Sequence, residues 1–282
     1  MISVNQPTFN GAQPIELNHF TDGTLKMRCR LPENPLDQAY GLPLTIQWKY
    51  EAEEELVALI HLVHHLRDHG FENLYLDMPY LPNARQDRVQ SEDEVFTLKS
   101  FAKTINWLNF RKVYVRDAHS RVSVALLDRV VNRVPDAIIE NAIFQAKWDF
   151  DVGHITLFYP DEGAMKRYHE THEYPKAFGM KTRNPGTGRV DSLKINGNLD
   201  DISGKYVLIV DDICSKGDTA LRSARELRKA GAKGVALYIT HCENTILTSE
   251  LINSGDVDFV YTSDSIFTGE HEKIKIITDT KY

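Results

Sequence analysis

VLIVDDICSKGDTALRSARELRKAGAKG, from Val207 to Gly234, is the stretch of sequence that decides the fold. It begins as an apolar, β-branched run typical of a buried strand, and this run ends in two adjacent carboxylates, Asp211 and Asp212. A short loop follows, from Ile213 to Asp218, and an amphipathic helix is predicted from Thr219 onward. A buried strand followed by such a helix is the repeating unit of α/β proteins with parallel sheets.

The same order of strand and helix recurs along the chain. LTIQWKY (Leu44 to Tyr50) predicts a strand, and the apolar spacing after it predicts a helix that ends at Gly70. The remaining predicted strands are NLYLDMPY, KVYVRDAH, HITLFYP, VALYITHC and VDFVYT. Further helices are predicted around Leu98 to Leu108 and over VSVALLDRVV, EGAMKRYHE and TILTSELINSG.

These alternating units outnumber what one compact sheet usually carries. We therefore expect an α/β fold of two doubly wound parallel-sheet domains, with the sheets covered on both faces. The expected boundary lies near Asp149 to Gly153, which gives domains of residues 1–149 and 150–282.

Composition excludes several classes of protein. The chain has 282 residues, of which 42% are hydrophobic and 26% charged, and its formal net charge of -7 disfavours a nucleic-acid partner. No apolar run is long enough to span a membrane, and the first residues do not resemble a secretion signal. Cys29, Cys214 and Cys242 show no zinc spacing and are expected to be free thiols in a reducing cytoplasm.

The loop after the paired acids has the chemistry of a site for a phosphorylated sugar. Ligands of open α/β sheets bind beyond the carboxyl ends of the strands. The start of the next helix offers unpaired backbone N–H groups and a positive dipole, which suit a phosphate. Ser215 and Thr219 add hydroxyl groups and Lys216 adds a positive charge, while adjacent acids can accept hydrogen bonds from two sugar hydroxyls.

At this level of detail the sequence resembles a known family. VLIVDDICSKGDT resembles the phosphoribosyl-pyrophosphate loop of type I phosphoribosyltransferases and of ribose-phosphate pyrophosphokinases. The rest of the chain favours the second family, because PYLPNARQDR, VYVRDAHS, YPDEGA, MKTRNPGTGRV and YTSDSIF resemble its motifs in the family's order. HFTDGT resembles a loop that reaches the adenine site of a neighbouring subunit in that family.

The resemblance implies a reaction and a set of residues. Ribose 5-phosphate would attack the β-phosphorus of ATP through its 1-hydroxyl, and Mg²⁺ would bridge the phosphates. The protein would be a homo-oligomer, a dimer at least. Lys181 and Arg183 would be catalytic, and His119 and Asp161 would serve the metal. ATP would be bound by Phe20, Asp22, Arg85, Gln86 and His119. Ribose 5-phosphate would be bound by Asp211, Asp212, Ser215, Lys216, Gly217, Asp218 and Thr219.

Several positions depart from the family pattern, and two other functions stay open. Ser215, Lys216 and Asp218 replace an acid, a threonine and a glycine of the family's sugar-phosphate loop, and Thr24 replaces a glutamate. Asp218 would put a negative charge beside a phosphate unless it turns away or caps the helix. The alternatives are a phosphoribosyltransferase that consumes phosphoribosyl pyrophosphate and a non-catalytic regulatory homologue.

Overall fold

The structure, a computed structural model, describes residues 1–5, 12–31, 41–168, 173–183 and 190–278, without the side chains of 181–183 and 190–192. The chain divides into two compact units, Met1–Val134 and Pro135–Tyr282. Each unit contains one large sheet. Among the described residues, no helix combines the length and the apolar character that a membrane span requires.

The first unit is built on a six-stranded sheet with the order β2-β1-β5-β6-β7-β8, and a separate hairpin joins β3 to β4. Strands β5 to β8 run parallel, whereas β1 pairs antiparallel with both β2 and β5. The strands are β1 (Ile2–Asn5), β2 (Gln13–Pro14), β3 (Glu16–His19), β4 (Leu25–Arg28), β5 (Leu44–Trp48), β6 (Leu74–Met78), β7 (Lys112–Arg116) and β8 (Val130–Arg133). The helices are α1 (Glu54–Asp68), α2 (Thr97–Trp107) and α3 (Arg121–Leu126).

Alternation of burial shows how this sheet is packed. Along β5, β6 and β7, buried residues alternate with half-buried ones, as expected when one face of a sheet meets the core. Ile46 and Trp48 of β5 are fully buried and pack in one cluster with Leu59 and Leu62 of α1. The apolar stripe of α1 therefore supplies the core of the first unit.

The second unit has a seven-stranded sheet with the order β11-β10-β9-β12-β13-β14-β15, in which only the β10–β11 pair is antiparallel among the described strands. Its strands are β9 (Thr156–Tyr159), β10 (Lys176–Arg183), β11 (Val190–Asn196), β12 (Tyr206–Cys214), β13 (Gly234–Cys242), β14 (Phe259–Thr262) and β15 (Ile274–Ile276). Its helices are α4 (Asp136–Phe150), α5 (Glu162–Tyr168), α6 (Asp218–Lys229) and α7 (Glu250–Asn253).

The winding of the second sheet reverses between β9 and β12. From β9 the chain proceeds through α5 to β10 on one side, and from β12 it proceeds through α6 to β13 on the other side. Helices α4 and α5 pack on one face of the sheet, and α6 and α7 pack on the opposite face. This unit is therefore doubly wound, with a topological switch point between two neighbouring strands.

The predicted α/β class with parallel sheets is confirmed, and several local predictions need correction. VSVALLDRVV was predicted as one helix, but α3 ends at Leu126 and the chain continues into strand β8. TILTSELINSG forms a 3₁₀ segment followed by the single turn α7. The last residues of EGAMKRYHE lie outside the described part of the chain. The described strands of the first sheet succeed one another in one direction from β5 to β8, so only the second sheet has a switch point.

Helix α4 moves the boundary between the units from the expected 149/150 to 134/135. Ile139 and Ile143 of α4 are buried in the same cluster as Tyr238 of β13. Near the end of α4, Asp149 accepts hydrogen bonds from the Tyr261 hydroxyl at 2.8 Å and from Lys275 Nζ at 2.6 Å. Burial, with Asp149 as the hydrogen-bond partner, raises the pKa of the Tyr261 hydroxyl. A segment expected to be a linker therefore anchors α4 to β14 and β15.

Replacing Asp149 with alanine should destabilise the protein by about 2–4 kcal/mol, because a nearly buried carboxylate is lost and Lys275 is left without it. Lys275 is 38% exposed, so water offsets part of the loss. Urea unfolding followed by circular dichroism measures the effect. The matched control is Lys166→Ala, which breaks an exposed pair with Glu162 and should change stability by less than about 0.5 kcal/mol. Equal effects of the two substitutions would contradict an anchoring role for Asp149.

Candidate functional site

Three carboxylates gather at the switch point of the second sheet. Asp161 directly follows β9, and Asp211 and Asp212 lie near the carboxyl end of the neighbouring strand β12. In open α/β sheets the crevice at such a point is where ligands bind, because the loops leave the sheet in opposite directions there. The fold therefore assembles a candidate site from residues that are far apart in the sequence.

The two adjacent acids on β12 face opposite sides of the sheet. Successive side chains of a strand alternate between its faces, so Asp211 and Asp212 leave the strand in opposite directions, although their carboxyl groups remain close enough to interact. Asp211 lines a hollow on the side of α6. Asp212 is 6% exposed and forms an ion pair with Arg167 of α5, with Nη1 and Oδ2 2.7 Å apart. Of the two acids predicted to bind the sugar, Asp211 therefore lines the hollow and Asp212 is paired with Arg167.

The electrostatic environment of Asp211 opposes its ionisation. Burial raises the pKa of this carboxyl well above its ordinary value, and the like charges of Asp212 and Asp161 raise it further. One hydrogen bond acts in the other direction, because the backbone N–H of Asp212 donates to Asp211 Oδ1 at 3.0 Å. A cation or a set of hydroxyl donors bound at Asp211 would relieve this repulsion, so the site favours such ligands.

The loop after β12 encloses a hollow of about 310 Å³. Its lining includes Asp211, Ser215, Lys216, Gly217, Asp218 and Thr219. Helix α6 starts at this hollow, and its N-cap position is held by Gly217, which has no side chain to cap the first backbone N–H groups. Those N–H groups and the helix dipole can therefore bind an anion in the hollow.

Gly217 is required by both its conformation and its surroundings. Its φ of +79° lies in the left-handed region that side chains disfavour. A Cβ placed there would lie 2.6 Å from Leu251 Cδ1 of α7. The tight turn from β12 into α6 therefore depends on a glycine at this position.

The departures from the family loop all lie around this hollow. Ser215 Oγ is 3.1 Å from Thr245 Oγ1, so the hydroxyl that replaces an acid is held by the segment after β13. Lys216 and Asp218 are both exposed and both line the hollow. Asp218 is the first residue of α6 and does not hold its N-cap position, so a helix cap does not account for its charge. Lys216 brings a positive charge to the lining of the same hollow.

Asp161, which lies at the switch point, also stabilises the start of helix α5. Its Oδ1 accepts a hydrogen bond from the backbone N–H of Ala164 at 3.0 Å and so caps the first turn of α5. Gly179 of β10 passes so close to this turn that an added Cβ would lie 2.7 Å from the carbonyl oxygen of Pro160. The end of β10 is therefore held next to the turn that carries Asp161.

Lys181 and Arg183, the two residues predicted to be catalytic, also belong to the second unit. Both lie on β10, with the backbone of Lys181 opposite Leu193 and that of Arg183 opposite Val190 of β11. The register shifts between Thr182 and Arg183, which marks an irregularity at the end of the strand. Their side chains lie outside the described part of the structure, as does the loop from 184 to 189.

In the first unit, Phe20 and Asp22 lie at the tip of the β3–β4 hairpin. The Phe20 ring is 53% exposed, and Lys26 Nζ lies 5.5 Å from its centre. Asp22 Oδ1 accepts from the backbone N–H of Thr24 at 2.9 Å and from its hydroxyl at 2.7 Å, and these bonds lower the pKa of Asp22. Thr24, which replaces the family's glutamate, thus orders the tip that presents the aromatic ring.

Gln86 organises the segment that precedes α2, while Arg85 beside it is exposed. Gln86 Oε1 accepts from the backbone N–H of Thr97 at 2.7 Å, and its Nε2 donates to Glu94 Oε1 at 2.9 Å. Because Thr97 is the first residue of α2, Gln86 acts as a distant cap of that helix. This structural task was not foreseen from the sequence.

His119 is half-buried and lies in the turn between β7 and α3. The turn contains Asp117, which is buried and has a φ of +46°, a conformation that is uncommon for a residue other than glycine. It is held by hydrogen bonds from Asp117 N to the Arg133 carbonyl at 2.9 Å and from Ala118 N to Asn132 Oδ1 at 3.0 Å. Local strain of this kind is often found where a side chain is positioned for a ligand.

Sequence reasoning missed Arg167, Thr245 and Thr97, which contact predicted site residues. Arg167 lies on α5, Thr245 follows β13, and each meets its partner only because strands distant in sequence are neighbours in the sheet. Of these three contacts, only the one between Gln86 and Thr97 could have been expected from the local sequence, because the first N–H groups of a helix require hydrogen-bond partners. In the described residues, no group of three or more His, Cys, Asp or Glu side chains is arranged to hold a metal by itself.

Over most of its length, the chain is similar in sequence to ribose-phosphate pyrophosphokinases. The family model described as "Phosphoribosyl transferase domain" matches residues 174–256, which include the hollow after β12. The ribose-phosphate pyrophosphokinase of Thermococcus kodakarensis is 30% identical over 229 residues, which cover 80% of this chain and 77% of that protein. The ribose-phosphate pyrophosphokinase of Methanosarcina acetivorans is 27% identical over 263 residues, which cover 89% of this chain and 85% of that protein.

A solved structure shares the fold of the whole chain. The crystal structure of phosphoribosylpyrophosphate synthetase from Mycobacterium smegmatis matches with a TM-score of 0.73 and covers 94% of this chain and 86% of that chain. The sequence identity between the two is 18%, so this match shows the fold alone.

Asp211→Asn should raise the melting temperature of the ligand-free protein at pH 7.5 by a few degrees, because about 1 kcal/mol corresponds to roughly 2–4 °C in chains of this size. The folded-state pKa of Asp211 is raised, so its ionisation costs stability above that pKa and costs nothing below about pH 4. The gain in the variant should therefore shrink as the pH falls. Asp212→Asn should instead lower the melting temperature, because Arg167 loses its carboxylate partner. The same response of both variants would contradict the division of the two acids between faces.

Gly217→Ala should destabilise the protein by about 2–4 kcal/mol, since it combines left-handed backbone with overpacking against Leu251. Gly204→Ala is the matched control, because Gly204 has a φ of +72° but no atom within 4 Å of an added Cβ. That variant should lose only about 1 kcal/mol. Chemical unfolding of the two variants measures both values, and equal losses would show that Leu251 does not limit the turn.

Proposed function

This chain belongs to the ribose-phosphate pyrophosphokinase family, and from that premise we propose how its residues divide the work of the reaction. The enzyme transfers the pyrophosphoryl group of ATP to the 1-hydroxyl of ribose 5-phosphate, and the products are phosphoribosyl pyrophosphate and AMP. The bond between the β-phosphorus and the oxygen of AMP breaks, a bond from the 1-oxygen of the sugar to the β-phosphorus forms, and the hydroxyl proton is released.

The sugar-phosphate half of the proposal depends on one observation, the hollow of about 310 Å³ at the start of α6. The 5-phosphate is proposed to accept hydrogen bonds from the first backbone N–H groups of α6 and from the hydroxyls of Ser215 and Thr219. The cation of Lys216 stabilises the same dianion. Asp211 lines the other part of the hollow and is proposed to accept hydrogen bonds from ribose hydroxyls.

Asp212 has a supporting part in this proposal. Its ion pair with Arg167 holds the end of β12 against α5 and keeps one negative charge neutralised. The opposite face is then left with Asp211 as the carboxylate that meets the sugar. Both acids remain in the proposed binding machinery, with Asp211 as the direct contact.

The residues present fit a magnesium ion at the switch point. Burial and the charges of Asp212 and Asp161 raise the pKa of Asp211, and this supports a divalent cation at the switch point, where it would stabilise the carboxylates. Mg²⁺ keeps several waters and takes phosphate oxygens, so one or two protein ligands are enough, and at the switch point we assign this part to Asp161. His119, in the first unit, is proposed separately as a residue that serves the metal. When bound, the ion would supply charge neutralisation on the phosphates.

The ATP half of the proposal uses residues of the first unit. Arg85 and His119 are proposed to meet the phosphates, and the exposed Phe20 ring is proposed to stack on a base. Asp22 and Gln86 are proposed to contact the nucleotide as well, while their described hydrogen bonds order the hairpin tip and the start of α2.

We also propose that the protein works in the cytoplasm, in keeping with three free cysteines among the described residues, and that it is a homo-oligomer.

The two other functions are less well supported. A transferase that consumes phosphoribosyl pyrophosphate does not need a half that resembles the ATP-binding segments. A regulatory homologue does not need Lys181, Arg183, His119, Asp211 and Asp212 together. The resemblance to pyrophosphokinases over about four-fifths of the chain favours catalysis over both.

Incubation with ATP, ribose 5-phosphate and Mg²⁺ tests the reaction. AMP and phosphoribosyl pyrophosphate should appear together in equal amounts, and omission of any one component should abolish both products. Separation of nucleotides by chromatography measures the result. ADP as the nucleotide product, or turnover only with a nucleobase and phosphoribosyl pyrophosphate, would contradict the proposal.

Lys181→Ala should lower kcat by about 100- to 1000-fold with little change in KM, because a cation that meets charge developing on the transferred group acts mainly in the transition state. Lys194→Ala is the matched control, since Lys194 is an exposed lysine on the adjacent strand β11, opposite Met180. That variant should keep normal turnover. A folded Lys181→Ala enzyme with normal kcat would remove β10 from the catalytic mechanism.

A further inference from the structure

The side-chain amide of Gln86 is held at both of its ends. Its Oε1 accepts hydrogen bonds from the backbone N–H and from the hydroxyl of Thr97, and its Nε2 donates to Glu94 Oε1 at 2.9 Å. A backbone N–H can only donate and an ionised carboxylate can only accept, so these partners fix which end of the amide is oxygen and which is nitrogen. The orientation of this amide therefore follows from its hydrogen bonds.

The donors and acceptors of Gln86 show what this side chain can still offer a ligand. Both lone pairs of Oε1 are occupied by Thr97, and one of the two Nε2 hydrogens is given to Glu94. Over the residues that the structure describes, the second Nε2 hydrogen has no acceptor. Gln86 is half-buried, so a ligand can reach this hydrogen. The side chain can therefore contact a ligand as a donor, whereas its carbonyl oxygen is already used.

Glu94 ties the amide of Gln86 to the rest of its segment. Its second oxygen, Oε2, accepts from the backbone N–H of Gln90 at 2.6 Å. The hydrogen bonds from Gln90 and Gln86 lower the pKa of Glu94, so the carboxylate stays ionised and remains an acceptor at neutral pH. The Glu94 carboxylate therefore closes the segment between positions 86 and 94 and holds the nitrogen end of the amide.

The cap on α2 does not account for the contact with Glu94. Capping uses only Oε1 of Gln86, which reaches Thr97 at the first turn of the helix. An amide held by its oxygen alone can still turn about that contact. The bond to Glu94 removes this freedom and sets the direction in which the second N–H points.

We propose that Gln86 contacts the nucleotide as a donor only, through its second Nε2 hydrogen, and that Glu94 is a positioning residue that directs this hydrogen. The inference rests on the proposed function, because it requires the nucleotide to bind beside Gln86. The matching group on ATP is an acceptor, which is a phosphate oxygen, a ribose oxygen or a ring nitrogen. The exocyclic amino group of adenine is excluded, since it is itself a donor. A donor that is oriented before binding loses less entropy when the ligand arrives.

Glu94→Ala tests the positioning role. With the nitrogen end of the amide released, the Kd for ATP in the presence of Mg²⁺ should rise by about 3- to 10-fold, the factor that corresponds to one hydrogen bond. The values of kcat and of the KM for ribose 5-phosphate should stay unchanged, because the change touches neither the transferred group nor the sugar site. Glu92→Ala is the matched control, since Glu92 is an exposed carboxylate of the same segment, and its Kd should equal that of the wild type. Isothermal titration calorimetry measures Kd, and initial rates give the other two values.

Exchange of the two side chains separates the donor from the structural contacts. Gln86→Glu alone sets two carboxylates against each other, so both the melting temperature and the affinity for ATP should fall. The double variant Gln86→Glu with Glu94→Gln rebuilds the network, because the amide at position 94 donates to the carboxylate at position 86 and accepts from Gln90. Its melting temperature should return to within about 2 °C of the wild type, since no hydrogen bond of the network is lost. Its Kd for ATP should stay at least about 3-fold higher, because position 86 no longer carries an N–H.

Salt separates this loss from repulsion of ATP by the moved charge. The double variant has the net charge of the wild type, and its weaker binding should persist at about 0.5 M salt, where the Debye length is only about 4 Å. A loss that disappears at high salt would overturn the inference.

Three other results would also overturn the inference. They are an unchanged Kd for ATP in Glu94→Ala, a double variant that regains the Kd of the wild type, and a double variant that does not regain stability. Each leaves the proposed function intact as long as the wild type forms AMP from ATP and ribose 5-phosphate. A wild type that forms no AMP and binds no ATP would instead overturn the proposed function, and this inference with it.

Discussion

A strand presents successive side chains to opposite faces of its sheet, and at the end of β12 this constraint acts on two adjacent carboxylates. Asp211 is directed to the hollow at the start of α6, and Asp212 is directed to Arg167 on α5. The first acid is available to a ligand, while the second ties the strand to the helix behind it. The rest of the candidate site depends on this division, because it sets which side of the sheet is proposed to bind the sugar and which side supports it.

Charge at the switch point follows from the same division. Three carboxylates lie close enough that Asp212 and Asp161 raise the pKa of Asp211, while Arg167 neutralises only one of them directly. A fold selected for stability alone would not keep such a cluster at a strand end, since each ionised group opposes the others. The cluster is reasonable for the proposed ligands, which bring hydroxyl donors and a divalent cation.

At two positions, the candidate site depends on a left-handed backbone conformation. Gly217 allows the left-handed turn that aims the start of α6 at the hollow, and it fits against Leu251. Asp117 holds a left-handed conformation in the turn that carries His119. In both units, the turns that carry residues proposed to contact ligands are thus fixed by backbone conformation and by hydrogen bonds before a ligand binds, which limits the entropy lost on binding.

The sequence by itself determined the α/β class, the strand and loop from Val207 to Thr219, and the residue types suited to a sugar phosphate. These features are local, since hydrophobic period, paired acids and a glycine at a helix start can be recognised within one segment. Only the tertiary structure decided that Asp211 lines the hollow while Asp212 pairs with Arg167, and that Thr245 contacts Ser215. It also decided that α4 belongs to the second unit, through burial of Ile139 and Ile143 and the bonds of Asp149. The physical reason is that strand order brings together side chains from distant segments, and no local pattern in the chain records that order.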